Sequence, residues 1–329
     1  MRGTAASAAL IGGLALAAAG AGPLYGQTET LDRVAIAELV LLSALAAAPD
    51  TAAEAWESET LERLEAILDG PPLPEPTMPG VMGSRVRAIL VRGQRFRRDV
   101  TTALADDDPE AAVAEVVRAY LGGGDGTLPG APKNMDVLYD HRAALAFRSR
   151  FPALGGLRWA GTWFGLAATE PLTDLPPGHS RRVGIDTVIH RYRAKLTPGE
   201  PPHTYPSELP LAPAVAPGLV WISPEAAMIW DNHSMFVEVT ADILSSPDID
   251  DRAAALDAAA EFFTDPDRAV TSQLAWETMA LRHGIFFQGG FPLAVMTRSE
   301  RNPRGHGSHM RSGAPMVVPG MGRRSGGGH

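Results

Sequence analysis

Asp186 and His190 stand four residues apart in VGIDTVIHRYR. On a helix that spacing puts a carboxylate and an imidazole on one face, where metal sites of helical bundles draw their ligands. No other acid–histidine neighbours in the chain have sound helical geometry. Asp140 with His141, and Asp231 with His233, are one and two residues apart. On a helix these would diverge by about 100° and 200° around the axis, so only one member of each could join a common site. The plainer reading of Asp186 and His190 is a surface charge–dipole pair.

A second set of ligand types lies in the tail NPRGHGSHMRSGAPMVVPGMGRRSGGGH, which holds His306, His309, Met310, Met316, Met321 and His329. Imidazole and thioether are the side chains suited to copper once thiolate is absent, and the chain has no cysteine. Copper, or another divalent metal, is therefore the cofactor these residues would take. Against this, the Met spacing is irregular, and a segment so rich in Gly, Pro and Arg does not fold alone. A disordered or docked basic tail is the plainer expectation.

Signatures of the common enzyme classes are missing. There is no G-x-x-x-x-G-K-[ST], G-x-S-x-G or H-E-x-x-H, and no G-x-G-x-x-G in a strand–helix setting. Without cysteine, thiol catalysis, iron–sulfur clusters and cysteine-ligated zinc are also excluded. No catalytic residue is assigned, and the reading leans away from an enzyme.

The elements that must position any site are helices separated by Pro/Gly breaks. Helical spacing is expected from Thr28 to Ala48, from Thr51 to Asp69, over 83–105, where the alternation in SRVRAILV also permits a strand, and from Pro109 to Leu121. Thr51 with Glu54 forms a capping box, and Asp108-Pro109 opens a helix that Gly122-Gly123-Gly124 ends. Further helices are expected over Asp136–Arg150, Val183–Leu196, Ser223–Leu244, Ile249–Phe263 and Asp267–His283. Seven prolines in 197–218 predict a structural loop there. Asn232 falls on the apolar face formed by Ile229, Phe236, Val239 and Ile243. An unpaired buried amide costs about 1–3 kcal/mol, so a structural hydrogen bond is expected at Asn232.

The start of the chain, MRGTAASAALIGGLALAAAGA, has one basic residue, an acid-free apolar run and a closing small-x-small triplet, the layout of a secretory signal peptide. No later segment reads as membrane-spanning. The expected organisation is a signal peptide at 1–21, an N-terminal helical portion at 22–122, a flexible Gly/Pro-rich linker at 123–132, a C-terminal helical portion at 133–300 and a basic Gly/His/Met-rich tail at 301–329. The fold expected is all-α, an irregular multi-helix globular domain with long Pro/Gly-rich loops, arranged as one body or two lobes.

Charge narrows the partners. The body from 22 to 300 carries 23 basic and 38 acidic side chains, whereas the tail beyond Glu300 holds five arginines and no acid. An acidic body argues against nucleic acid. The leading functional expectation is an exported helical protein, periplasmic or extracellular if bacterial. It would bind an envelope or extracytoplasmic protein partner, or scaffold an envelope assembly, without catalysis. The competing expectation is a metal-binding protein carrying copper through the His/Met tail, or a metal-dependent enzyme built on Asp/His pairs.

Overall fold

The computed structural model describes residues 24–48, 54–70, 76–173, 181–196 and 209–284. Over these the protein is all-α, with twelve α-helices and no strand. In chain order they are α1 (Leu24–Ala47), α2 (Glu54–Asp69), α3 (Ser84–Ala103), α4 (Pro109–Leu121), α5 (Ala146–Arg150), α6 (Pro152–Ala167), α7 (Arg181–Leu196), α8 (Ala212–Val215), α9 (Pro217–Ile222), α10 (Pro224–Ser245), α11 (Arg252–Thr264) and α12 (Gln273–Gly284). Short 3-10 turns occupy Met135–Leu138 and Glu170–Leu172. Among the described residues no helix is long and apolar enough to cross a membrane.

The axle of the fold is α10. It is buried without a break from Ala226 to Ser245, and α1, α3, α4, α5, α8, α9 and α11 all pack on it. At 1.5 Å per residue its 22 residues run about 33 Å. Pro224 at its first turn and the Ser223 hydroxyl, which accepts from the Ala226 N–H at 3.2 Å, fix where it starts. The same device recurs elsewhere: Asp108 accepts from Ala111 N to start α4, Asp251 from Ala254 N to start α11, and Ser272 from Ala275 N to start α12. Almost equally buried is α6, which joins α5, α7, α1 and α2 to the core. One continuous hydrophobic core runs from Ala37 on α1 to Ala280 on α12.

Two local expectations are corrected. Asp136–Arg150 is not one helix. It is a 3-10 turn, a non-helical stretch and the five-residue α5, because Leu145 takes a left-handed φ of 63°. That conformation is held by Asp242 on α10, whose carboxylate accepts from both Leu145 N (3.0 Å) and Phe147 N (2.9 Å). The Pro-rich run ends in structure rather than loop: residues 209–218 are nearly all buried and include α8, and α9 follows directly. The end of the 123–132 segment is pinned. Asn232 accepts from Lys133 N at 3.0 Å and donates to the carbonyls of Pro129 (2.9 Å) and Ala131 (2.8 Å), the structural hydrogen bonding expected of a buried amide.

Candidate functional site

Where α1, α3 and α6 diverge over α10 they leave a cleft of about 260 Å³. Its walls mix Leu31, Val34 and Leu39 on α1 and Val91 on α3 with the polar Asp32, Gln94, Arg95 and Arg98. Its floor is Arg97 of α3 and the Trp230 indole of α10, with Glu38 of α1 beside them. The chain opens the cleft with glycine: Gly161 and Gly165 lie one turn apart on α6 and face it. A Cβ at Gly161 would meet Val34 Cγ1 at 3.2 Å, and one at Gly165 would meet Trp230 Cζ2 at 3.5 Å.

Polar groups on the floor are linked. Glu38 accepts a hydrogen bond from Gln94 and lies 3.7 Å from Arg97 NH1. Arg97 NH2 contacts His233 Nδ1 and reaches Ser234 Oγ at 3.5 Å. Its guanidinium carbon sits 5.8 Å from the Trp230 ring centroid, within cation–π range. Burial pulls the Arg97 guanidinium below its usual value, opposed first by Glu38. Two donors in this floor have no acceptor, Arg97 Nε and Trp230 Nε1. Both atoms are enclosed by protein, each exposing less than 1 Å².

Behind the cleft, α10 carries a polar seam. His233 fits because Gly93 of α3 has no side chain: a Cβ there would lie 1.7 Å from His233 Cδ2. The imidazole Nε2 then meets the Leu90 carbonyl at 3.2 Å, and burial, followed by Arg97, drives its pKa well down, leaving the ring neutral. One turn on, Glu238 joins Arg148 Nε at 2.7 Å and Arg158 NH1 at 2.5 Å, and those two arginines hold its carboxyl low against burial. Asp242 follows, pushed up to about 8 by burial and then by Glu238. His141 lies 3.8 Å from it, with both ring nitrogens unpaired and its pKa lowered by burial to about 4. About 200° round α10 from His233, Asp231 accepts from Ala212 N and, at 2.9 Å, from the Trp276 indole, tying α8 and α12 to the axle. Burial raises it to about 8 against those two donors and Arg97. Asp231 and His233 thus point to different neighbours, as two-residue spacing on a helix requires.

No known protein family, curated protein or solved structure matches this chain. What it does must therefore be argued from the geometry.

The residues singled out in the sequence fare differently. Asp186 and His190 are both exposed on α7, on the outside of the fold. His306, His309, Met310, Met316 and Met321 lie outside the described residues, as does Thr51 of the expected capping box. Among the described residues no group of three or more His, Asp or Glu side chains is placed to hold a metal ion. Glu38, Gln94, Arg97 and Trp230 were not singled out, although two signals pointed to them. Glu38 is the one acid in the apolar run from Val34 to Ala48, and Arg97 shares the buried face of α3, seven residues after Leu90 and four after Gly93.

Proposed function

We propose that this chain is an exported, non-enzymatic binding protein whose recognition site is the α1–α3–α6 cleft. The observation that carries the reading is the cleft itself, about 260 Å³ between α1, α3 and α6, with Gly161 and Gly165 of α6 on its lining. Concave sites that combine apolar surface with a few placed polar groups are the usual small-molecule sites. The groups that could serve as acids or bases have other work. Asp231 holds α8 and α12, Asp242 starts α5, Glu238 neutralises two arginines, and His233 is wedged between Gly93 and Arg97. These contacts support a reading in which the buried charges build the fold and the cleft receives a ligand.

The test is to purify the full chain from the compartment to which it is exported and weigh it by native mass spectrometry. The expected result is a bound small molecule that is lost when Gly161→Phe fills the cleft. Equal occupancy in both proteins, or turnover of a released compound, overturns the reading.

An envelope protein partner is favoured by a separate feature, Trp221 on α9. Its side chain is 82% exposed although the neighbouring Leu219 is fully buried. Exposed tryptophans are common energetic anchors of protein interfaces. Site-specific photocrosslinking from position 221 is expected to capture one envelope protein, and capture of none contradicts this contact.

A further inference from the structure

We infer that the outward face of α12, marked by Leu274 and Leu281, is a docking surface for this chain's own segment 285–296, which begins directly after the helix. The inference is independent of the cleft between α1, α3 and α6.

The way α12 is held decides which side faces out. The Trp276 indole donates to Asp231 of α10 at 2.9 Å, and Trp276 and Ala280 are buried against the body. The Ser272 hydroxyl accepts from Ala275 N at 3.1 Å and sets where the helix starts. At about 100° per residue, Leu274 and Leu281 stand within about 20° of each other, on the side away from Trp276. That side is open. Leu274 is 73% and Leu281 52% exposed, with the exposed Thr278 between them. Val270, just before the helix, is 40% exposed. Eight large hydrophobic side chains are exposed among the described residues, and these three fall together at one edge of the fold. Single exposed apolar side chains are ordinary, whereas a row of them marks an interaction surface.

The occupant is named by the sequence that follows. Residues 285–296 read IFFQGGFPLAVM and carry no charge. So apolar a run is stabilised by leaving water for any apolar surface within its reach. The face is within reach: Leu274 lies about 15 Å along the helix from its end at Gly284. Twelve residues can span up to about 40 Å. The pair Gly289-Gly290 is a sequence signal for a chain that doubles back. After it, Phe291, Leu293 and Val295 alternate, a period that sets three side chains on one side of an extended chain over about 13 Å. Leu274 and Leu281 are about 10 Å apart along their helix, so the two apolar rows match in length. Joined to the face through a few residues, this segment meets it at an effective concentration of about millimolar. A second copy or a separate partner must compete from its own, far lower, concentration.

The experiment places photoreactive p-benzoylphenylalanine at position 274 of the full-length chain, where an exposed side chain leaves room for it. The protein is irradiated dilute and digested with trypsin. Peptide 269–282 is expected to emerge joined to peptide 283–298, from a product that still runs as a monomer. A crosslinked dimer gives the face to a second copy, and a crosslink to any other segment gives it to that segment. Either result overturns the inference, and so does the absence of a crosslink. A second measurement is amide exchange in Leu274→Asp combined with Leu281→Asp. Both positions are exposed, so circular dichroism should show the body intact, while exchange over 285–296 quickens at least about tenfold. Val183→Asp, at a 58% exposed apolar position on α7, should leave that exchange unchanged. Equal exchange in the parent and the double variant, or the same quickening in Val183→Asp, overturns the docking.

Discussion

Gly93 is the position where the packing of α3 on α10 can be tested most sharply. A methyl there would lie 1.7 Å from Cδ2, 2.1 Å from Nε2 and 2.4 Å from Cγ of His233. Carbon–carbon contacts need about 3.5 Å, so the ring must retreat by well over an ångström. It has nowhere to go, because His233 is completely buried on a helix enclosed all round. Retreat would break the contacts to the Leu90 carbonyl and to Arg97. Overpacking costs about 1–3 kcal/mol, and unpairing a buried polar group about 1–3 kcal/mol. Replacing a mid-helix glycine by alanine returns roughly 0.5–1 kcal/mol. The expected net loss in Gly93→Ala is about 3 kcal/mol, a large share of the roughly 5–15 kcal/mol that holds a domain. Urea unfolding followed by circular dichroism reads this directly, and the midpoint of thermal unfolding should fall by about 6–12 °C. His233→Ala in the same chain removes the obstacle, so the double variant should be more stable than the sum of the single losses predicts, by at least about 1.5 kcal/mol. Gly93→Ala within 0.5 kcal/mol of the parent (roughly the ordinary spread of neutral surface changes) refutes the reasoning, and so does strict additivity.

Three more outcomes follow from the seam on α10. Asn232→Ala leaves the Lys133 N–H and the carbonyls of Pro129 and Ala131 unpaired. A loss of about 3–5 kcal/mol is expected, together with faster amide exchange over residues 127–134. Unchanged exchange would show that Asn232 does not pin this segment. Glu238→Gln removes the carboxylate that neutralises Arg148 and Arg158. Breaking a buried pair in this way costs about 3–5 kcal/mol, and the same unfolding assay measures it. The third outcome concerns pH. Asp231 and Asp242 are raised from 3.8 to about 8, so the folded state holds their protons where the unfolded chain releases them. Their contribution to stability is full below about pH 4 and is lost as pH rises through 8. His141, lowered from 6.5 to about 4, acts with opposite sign only between those values. Lys133 and Lys195, lowered from 10.5 to about 8, oppose only above 8. Stability is therefore expected to fall between pH 6.5 and 8, with a shallower slope in Asp231→Asn. A flat or rising profile over that interval contradicts the assignment.

Helix identity was legible in the sequence wherever local chemistry decides it. Asp108-Pro109 and Ser223-Pro224 carry their own start signals, and the observed helices begin beside them. Legibility ended where a distant residue imposes the backbone. Nothing near Leu145 announces its left-handed turn, because the group that holds it is Asp242, 97 residues away. The prolines of 209–218 read as loop, yet burial of Leu209, Leu211 and Val215 makes short helices of them. The polar residues of α10 carried the same ambiguity. Asn232 reads as a buried structural amide from the apolar face it shares, whereas only full enclosure of the helix shows that Asp231 and His233 are tied to structural neighbours as well. The cleft itself depends on glycines of α6 meeting α1 and α10, a juxtaposition no local pattern encodes.

The most direct test of the binding reading is whether the α1–α3–α6 cleft is occupied in the protein as it is made. The full-length chain and its Gly161→Phe variant are weighed by native mass spectrometry under the same conditions. The account predicts a bound small molecule on the parent chain and its loss from the variant. Equal occupancy in both proteins, or a bound molecule on neither, contradicts it.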